Sequence, residues 1–390
     1  MHCPQRIVLA IIPSMHGYSG DVVNETQLLS SVCKKIDLCY VFTILSPIQA
    51  IKLRKARPKT PENMRIVTFL TPPRPTPLLS LLSRIFFSYI FALIVLISGF
   101  SHKLSLIYIR EPSLATAFLS IKSLARKTVV KMPTILEEEM FCKGLAKRLA
   151  DSIVELTDRL AFAKAKKVAV HSIYQAMELM KRRRYKPEGD LIEIRPGVSL
   201  SAIMRISNSH QVPRTNDIRI GYVGTLYYRQ GVDLLAKAVA IVKNKFPNVR
   251  LVIVGDGSLK KEVLKICQEE DVKCEFTGFI KHEKALQKMR ELDILVLPSR
   301  KHPVTEAIIA IKVVEAWALG VPVIVTHHKA YEAEYRDLED LVYCNPEPKD
   351  IACKILLLLE DKNLREKLRQ RGPELAKKYD YDMSAEKLLA

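Results

Sequence analysis

The chain has 390 residues, with 61 Lys and Arg against 42 Asp and Glu and a formal net charge of +19. At 48% hydrophobic and 26% charged residues with a mean hydropathy of +0.05, its composition excludes a disordered or collagen-like chain, and its length exceeds one comfortable hydrophobic core, so two domains are expected. The basic balance calls for an anionic partner: nucleic acid, an anionic membrane face or a phosphorylated small molecule.

The elements alternate in chain order between short aliphatic strands and helical stretches, twice over, which is the pattern of doubly wound α/β domains. The run Ile7 to Ile12 closes at Pro13 and reads as a first strand rather than a signal peptide. Further strands are expected at Leu38 to Thr43, Arg65 to Phe69, Leu104 to Ile109, Thr128 to Val130 with Thr134 to Leu136, Lys167 to Val170, and Asp190 to Ile194. The apolar run Leu78 to Phe100 is the one candidate for a membrane span. Its uncharged part from Ile85 is shorter than the ~20 residues a span needs, and the strands flanking it make it a crossover helix, buried in the first domain or lying at a lipid interface. The basic residues Lys52, Arg54, Lys55, Arg57 and Lys59 and the run Lys181 to Lys186 add a cationic surface to this half.

A polar stretch, 207–217, with Pro213 and Asn216, reads as a linker. The second half restarts at Ile218 to Gly224 and continues through Arg250 to Val254, Lys273 to Thr277, Ile294 to Leu297, Val321 to Val325 and Leu341 to Tyr343, with helix-period segments such as Val232 to Asn244 and Leu259 to Glu270 between them. The expected division is therefore a first Rossmann-like domain over 1–206 containing the apolar segment 78–100, the linker 207–217, a second Rossmann-like domain over 218–370, and a C-terminal helical segment, 371–390, that packs back towards the first domain. Two such domains facing one another place a cleft at the carboxyl ends of their strands.

The eight cysteines (Cys3, Cys33, Cys39, Cys142, Cys267, Cys274, Cys344, Cys353) are scattered without a C-x-x-C pair, which suits reduced thiols of a cytoplasmic protein rather than a disulfide frame or a zinc site.

The residues that carry chemistry cluster in the second half. Gly224-Thr225-Leu226-Tyr227-Tyr228-Arg229-Gln230-Gly231 follows a strand and opens a helix; glycines permit close approach by a ligand, while a helix N-terminus and an Arg attract phosphate. As an ordinary βα turn it would look much the same. Val254-Gly255-Asp256-Gly257 repeats the design one strand later. Phe276-Thr277-Gly278-Phe279-Ile280 ends a strand with aromatic and backbone groups suited to a base edge, or to the core. In Ile311 to Val325 an Ala-rich helix stops at Gly320 and a buried strand follows Pro322. Glu315 is an acid among core-like residues on that helix, with Lys312 one turn earlier on the same face. A carboxylate there can accept hydrogen bonds from the two hydroxyls of a ribose.

Taken in order, GYVGTLYYRQGVDLLAKA, LVIVGDGSL, EFTGFI, DILVLPSR and IKVVEAWALGVPVIV resemble glycosyltransferase family 4, the retaining GT-B enzymes that transfer sugar from a nucleotide-sugar. The likeness is strong from Ile218 onward and looser before it, where LIYIREP, AKKVAVHS and IEIRPGVSL match. The resemblance implies a GT-B fold, with Glu315 as the second glutamate of the family's paired-glutamate motif on the donor ribose. It also implies Ile309-Ala310-Ile311 as a loop giving amides to the diphosphate, Arg229 as the basic residue near the donor phosphates, and Gly20 as the first-domain residue approaching the sugar.

The departures are specific. The family's Arg after the first glycine is Thr225, and its Lys before the second is Gln230, so Arg229 would have to supply the charge. Ala307 stands where the first glutamate is usual; Glu306, one position away, serves if the loop shifts and is otherwise a solvent-exposed acid. The acceptor-domain acid or His is not evident in Pro133 to Glu139.

What the resemblance implies is front-face sugar transfer, in which the departing diphosphate needs a positive residue and helix-terminal amides more than a nucleophile. Neither metal nor cofactor is expected. The expected partners are a UDP-, GDP- or ADP-linked sugar, a saccharide or lipid-linked acceptor and an anionic membrane surface, with the protein cytoplasmic or peripheral on the inner membrane face. Two alternatives stand beside this reading: a non-hydrolysing nucleotide-sugar epimerase on the same fold, and a non-catalytic membrane-associated binding protein. Nucleic acid is not expected, because the basic residues lack interleaved aromatics or a binding module.

Overall fold

The computed structural model describes residues 6–13, 20–45, 60–70, 76–132, 143–209 and 216–390. The basic residues 52–59, the expected strand Thr134 to Leu136, the stretch Pro133 to Glu139 and most of the expected linker lie outside the described residues. The chain divides into two units, 1–195 with 381–390, and 196–380.

The first unit is built on β1 (Ile7–Ile12), β2 (Leu38–Leu45), β3 (Met64–Leu70), β4 (Leu104–Arg110), β5 (Thr128–Lys131), β6 (Lys167–Val170) and β7 (Asp190–Glu193). They pair in the order β3-β2-β1-β4-β5-β6-β7, parallel throughout. All six residues of β1 are buried, as a strand covered on both faces requires.

The apolar run forms the helix Pro77–Ile97, capped by Thr76, whose hydroxyl accepts from the Leu79 N–H at 3.3 Å. One face, with Leu81, Ser88, Phe91, Ala92 and Val95, is buried; Phe91 packs on Phe42 of β2 and Phe69 of β3. The opposite face carries Leu79, Leu82, Phe86, Tyr89, Leu93 and Ile97, all exposed, with Phe86 at 62% and Ile97 at 77%. The helix is long and apolar enough to cross a membrane, yet one side of it is committed to the sheet. Of the two expectations for this crossover helix, burial in the first domain holds for one face, while the other face is exposed.

Beneath this sheet lies a buried ion cluster. Glu25 accepts from Lys131 Nζ at 2.8 Å and from the Tyr108 hydroxyl at 2.9 Å, with Arg110 Nε at 3.5 Å. The C-terminal helix Tyr381–Leu389 belongs to this unit: Tyr381, Ala385 and Leu388 enter its core, and the Tyr381 hydroxyl donates to Asn24 Oδ1 at 3.0 Å.

The second unit contains β8 (Ile218–Val223), β9 (Val249–Val254), β10 (Cys274–Phe276), β11 (Ile294–Leu297), β12 (Val323–Thr326) and β13 (Val342–Cys344), parallel in the order β10-β9-β8-β11-β12-β13. The strand order reverses between β8 and β11, and the carboxyl ends of strands at such a switch are where open α/β sheets bind ligands.

Both unit boundaries differ from the sequence expectation. Residues 196–209 join the second unit rather than the first, because Ile203 and Ile206 of the helix Leu200–Ser209 pack with Leu286, and the Val198 N–H bonds the Tyr379 carbonyl at 2.9 Å. The return to the first unit comes at Tyr381 rather than 371. The preceding helix, Lys362–Ala376, is held to the second unit by Gly372, where a Cβ would stand 2.9 Å from the Trp317 carbonyl oxygen.

Candidate functional site

The loop after β8, at the carboxyl end of the second sheet, lies against the start of the helix Ile311–Ala318. That helix ends as its sequence dictates. Gly320 takes φ +68°, its N–H bonds the Trp317 carbonyl at 2.9 Å, and the Val321 N–H bonds the Ala316 carbonyl at 2.8 Å. This is the paired hydrogen-bond pattern of a Schellman C-cap. Trp317 is clamped between Tyr335 and Tyr379, so the helix has a fixed position in the core.

Glu315 is 7% exposed, and its Oε1 lies 2.5 Å from Nε2 of His282, the first residue of the helix His282–Arg290. Burial alone would lower the His282 pKa, but the Glu315 carboxylate outweighs it and holds the pKa above the usual imidazole value. No described residue hydrogen-bonds the second oxygen of Glu315, which leaves it able to accept from a hydroxyl.

The loop after β8 is shaped by its neighbours. A Cβ on Gly255 would stand 1.9 Å from the Gly224 carbonyl oxygen, and one on Gly257 would fall within 2.8 Å of Leu226 backbone atoms. These two glycines are required by loop-on-loop packing, which the bonds Gly224 N–H to Val254 O (2.8 Å) and Leu226 N–H to Asp256 O (3.0 Å) hold in register. Gly231, at φ +67°, sits against the Pro298 carbonyl after β11, where a Cβ would stand at 2.0 Å. The Thr225 carbonyl accepts from the Tyr222 hydroxyl at 2.9 Å, and the Gln230 N–H bonds the Tyr227 carbonyl at 2.8 Å. On the far side of Gly224, Lys312 Nζ fills the space a side chain would take, 2.0 Å from the ideal Cβ position and 5.2 Å from the centre of the Tyr222 ring.

Arg229 lies in the single 3₁₀ turn Tyr228–Gln230, whose backbone is fastened by Arg300. Arg300 forks onto Asp233 at 2.9 and 2.6 Å, donates to the Tyr228 carbonyl at 2.5 Å and lies 3.9 Å over the Tyr228 ring, while its own N–H donates to the Arg229 carbonyl at 2.8 Å. A planar bidentate guanidinium is suited to such a fixed clamp.

The three residues expected to give amides differ in what they offer. Ile309 is buried in the core, and the Ala310 N–H is already bonded by the Tyr331 hydroxyl at 2.9 Å, so the expectation that Ala310 presents a free amide is corrected. The amides of Ile311 and Lys312, at the first turn of the helix, donate a hydrogen bond to no described residue.

Glu306 ends the short helix Pro303–Glu306 and is not the solvent-exposed acid of the alternative reading: its side chain is 17% exposed, with Oε1 3.6 Å from His328 Nδ1. His328 is buried and bonded through Nε2 to the Ser299 hydroxyl at 3.2 Å; burial, only partly offset by Glu306, pushes its pKa down to about 4. It is therefore a neutral imidazole near pH 7. Ala307 is buried. Phe279 is exposed at the carboxyl end of β10, while Gly20 begins the helix Gly20–Cys33 of the first unit. Among the described residues no group of three His, Cys, Asp or Glu is placed to hold a metal.

The structure thus brings Gly224, Gly255 and Gly257 together beside the helix of Glu315, and it turns Glu306 towards His328. His282 and Arg300 escaped the sequence reading. His282 is 33 residues from Glu315, and no local pattern joins them. Arg300, in LPSR, had a usable signal: an arginine directly after a buried strand at the switch point.

Two parallel sheets of this order define a doubly wound α/β architecture, and known proteins share it. A sucrose-phosphate synthase from Thermosynechococcus elongatus superposes with a TM-score of 0.72 at 17% identity, over 98% of this chain and 96% of that one. Anabaena HepE in complex with UDP and glucose does so with a TM-score of 0.69 at 16% identity, over 98% and 97%. The fold is GT-B. Residues 205–375 match the family model described as glycosyl transferases group 1, and the second unit carries a domain of that kind. A phosphatidyl-myo-inositol mannosyltransferase from Mycobacterium leprae is 25% identical over 221 residues, which is 53% of this chain and 55% of the relative. The chain spans about a third to a half of the length of the curated relatives it matches.

Proposed function

We propose that this protein is a retaining glycosyltransferase that moves a sugar from a nucleotide-sugar to a saccharide or lipid-linked acceptor. The observation that carries the reading is the placement of Glu315. Its carboxylate is buried, oriented by His282 and open at one oxygen, on a helix whose first turn lies against the glycine loop after β8. Such a carboxylate suits the ribose hydroxyls of a donor, and the glycine loop suits its diphosphate. Arg229 reaches the phosphates from the turn that Arg300 fixes, and Phe279 offers a ring face to the base.

In the transfer, the bond between the anomeric carbon and the diphosphate oxygen breaks and its electron pair goes to that oxygen. The acceptor oxygen bonds the same face of the sugar, and its proton passes to the departing phosphate. The protein lowers the barrier by stabilising charge on the leaving group.

The complex of HepE with UDP and glucose supports a nucleotide-linked donor, and the mycobacterial mannosyltransferase named for a phospholipid supports a lipid-linked acceptor. The exposed apolar stripe of Pro77–Ile97, on a chain of net charge +19, supports peripheral attachment to an anionic membrane face. Incubation of the purified protein with UDP-, GDP- and ADP-sugars and membrane lipids tests the reading. Product from one donor, lost in Glu315→Ala, is expected; intact donors across the whole panel would overturn it.

A further inference from the structure

Lys312 is unusual among the cations of the second unit. Its ammonium lies in the space left by the missing side chain of Gly224, at the carboxyl end of β8. No described residue accepts a hydrogen bond from it. The groups that face it are the ring of Tyr222 and, on its own helix, Glu315. The Tyr222 hydroxyl is engaged with the Thr225 carbonyl, and the Glu315 oxygen nearest a partner is engaged with His282. Lys312 is half-buried, and its ammonium offers three donors, so a lysine held this way is suited to an anion that brings its own oxygens.

The surroundings fit an anion of the phosphate type. The free amides of Ile311 and Lys312 sit at the positive end of the same helix. Gly224, whose backbone lies against the ammonium, is held by Gly255 packed on its carbonyl. Burial lowers the Lys312 pKa to about 8, only partly offset by Glu315, so a bound phosphate would restore the charge.

We infer that Lys312 is the principal cation for the donor diphosphate, supplying from the helix the charge that the loop after β8 lacks at Thr225 and Gln230. The inference rests on the donor-site reading above. It places the principal phosphate-binding charge on the helix that also carries Glu315, so ribose and diphosphate are gripped by one element.

The test is titration calorimetry of the full chain and of Lys312→Met and Lys312→Gln, with UDP, GDP and ADP and with the corresponding nucleosides as probes. For the base that the unaltered protein binds, both substitutions are expected to weaken the diphosphate about 10- to 100-fold and to leave the nucleoside unchanged. At pH 9, in buffers of differing ionisation enthalpy, the unaltered protein should take up a proton on binding the diphosphate and the Lys312→Met protein should not. Removing this half-buried charge should leave the thermal midpoint equal or higher, which separates this effect from misfolding. Equal diphosphate affinity in both variants, or equal loss of nucleoside and diphosphate, would overturn the role of Lys312 while leaving the donor site standing. Failure of the unaltered protein to bind any of the probes would instead remove the functional reading itself.

Discussion

His282 Nε2 and Glu315 Oε1 lie 2.5 Å apart, joining the start of the helix after β10 to the middle of the helix before β12. The pair fixes one oxygen of a buried carboxylate and leaves the other open. Because the folded state raises the His282 pKa, the pair contributes its full stability below the unfolded imidazole value of roughly 6.5 and loses it as pH rises through the higher folded value. Thermal midpoints should therefore fall over that window. In His282→Gln the window should be flat, as followed by the fluorescence of Trp317, the only tryptophan.

The buried cluster of the first unit responds in the opposite sense. Burial would raise the Glu25 pKa, but Lys131 and Arg110 outweigh it and lower it. Its contribution is present above the unfolded carboxylate range and is lost as pH falls through the depressed value. Glu25→Gln leaves Lys131 buried without a counter-charge, and a loss of about 3–5 kcal/mol is expected in urea unfolding followed by circular dichroism. A loss under about 1 kcal/mol would show that water reaches Lys131.

Gly231 closes the turn that carries Arg229. A methyl group there meets the Pro298 carbonyl at 2.0 Å, and the backbone is left-handed at φ +67°. Gly231→Ala should destabilise the second unit by roughly 2–4 kcal/mol, read from Trp317 fluorescence in urea.

The stripe on the helix Pro77–Ile97 gives a prediction about membranes. Phe86→Ser with Leu93→Ser removes two exposed side chains. Sedimentation with anionic phospholipid vesicles should weaken about tenfold or more, while stability stays within about 0.5 kcal/mol. Unchanged sedimentation would place the membrane contact elsewhere.

Most of the sheet framework was legible because parallel strands buried on both faces are written as continuous aliphatic runs; β1, β6 and β11 have the expected bounds. The start of β12 moved from Val321 to Val323 because the Val321 N–H closes the helix cap and Pro322 has none to give. The unit boundaries were less legible. The placement of Leu200–Ser209 depends on Ile203 and Ile206 meeting Leu286, a pairing across distant sequence that a polar linker conceals. In the site, Glu315 stood out as an acid among apolar neighbours. His282 did not, since only the folded sheet brings it to Glu315, and Gly255 and Gly257 turned out to serve a neighbouring loop.

The most direct measurement is the anomeric configuration of the transferred sugar, by NMR of product made from a defined nucleotide-sugar and lipid acceptor, with Glu315→Ala run alongside. Retained configuration, with product falling at least about 100-fold in Glu315→Ala, is the expected result. An inverted product, or undiminished transfer without the Glu315 carboxylate, would contradict a retaining transferase with its donor site at this helix.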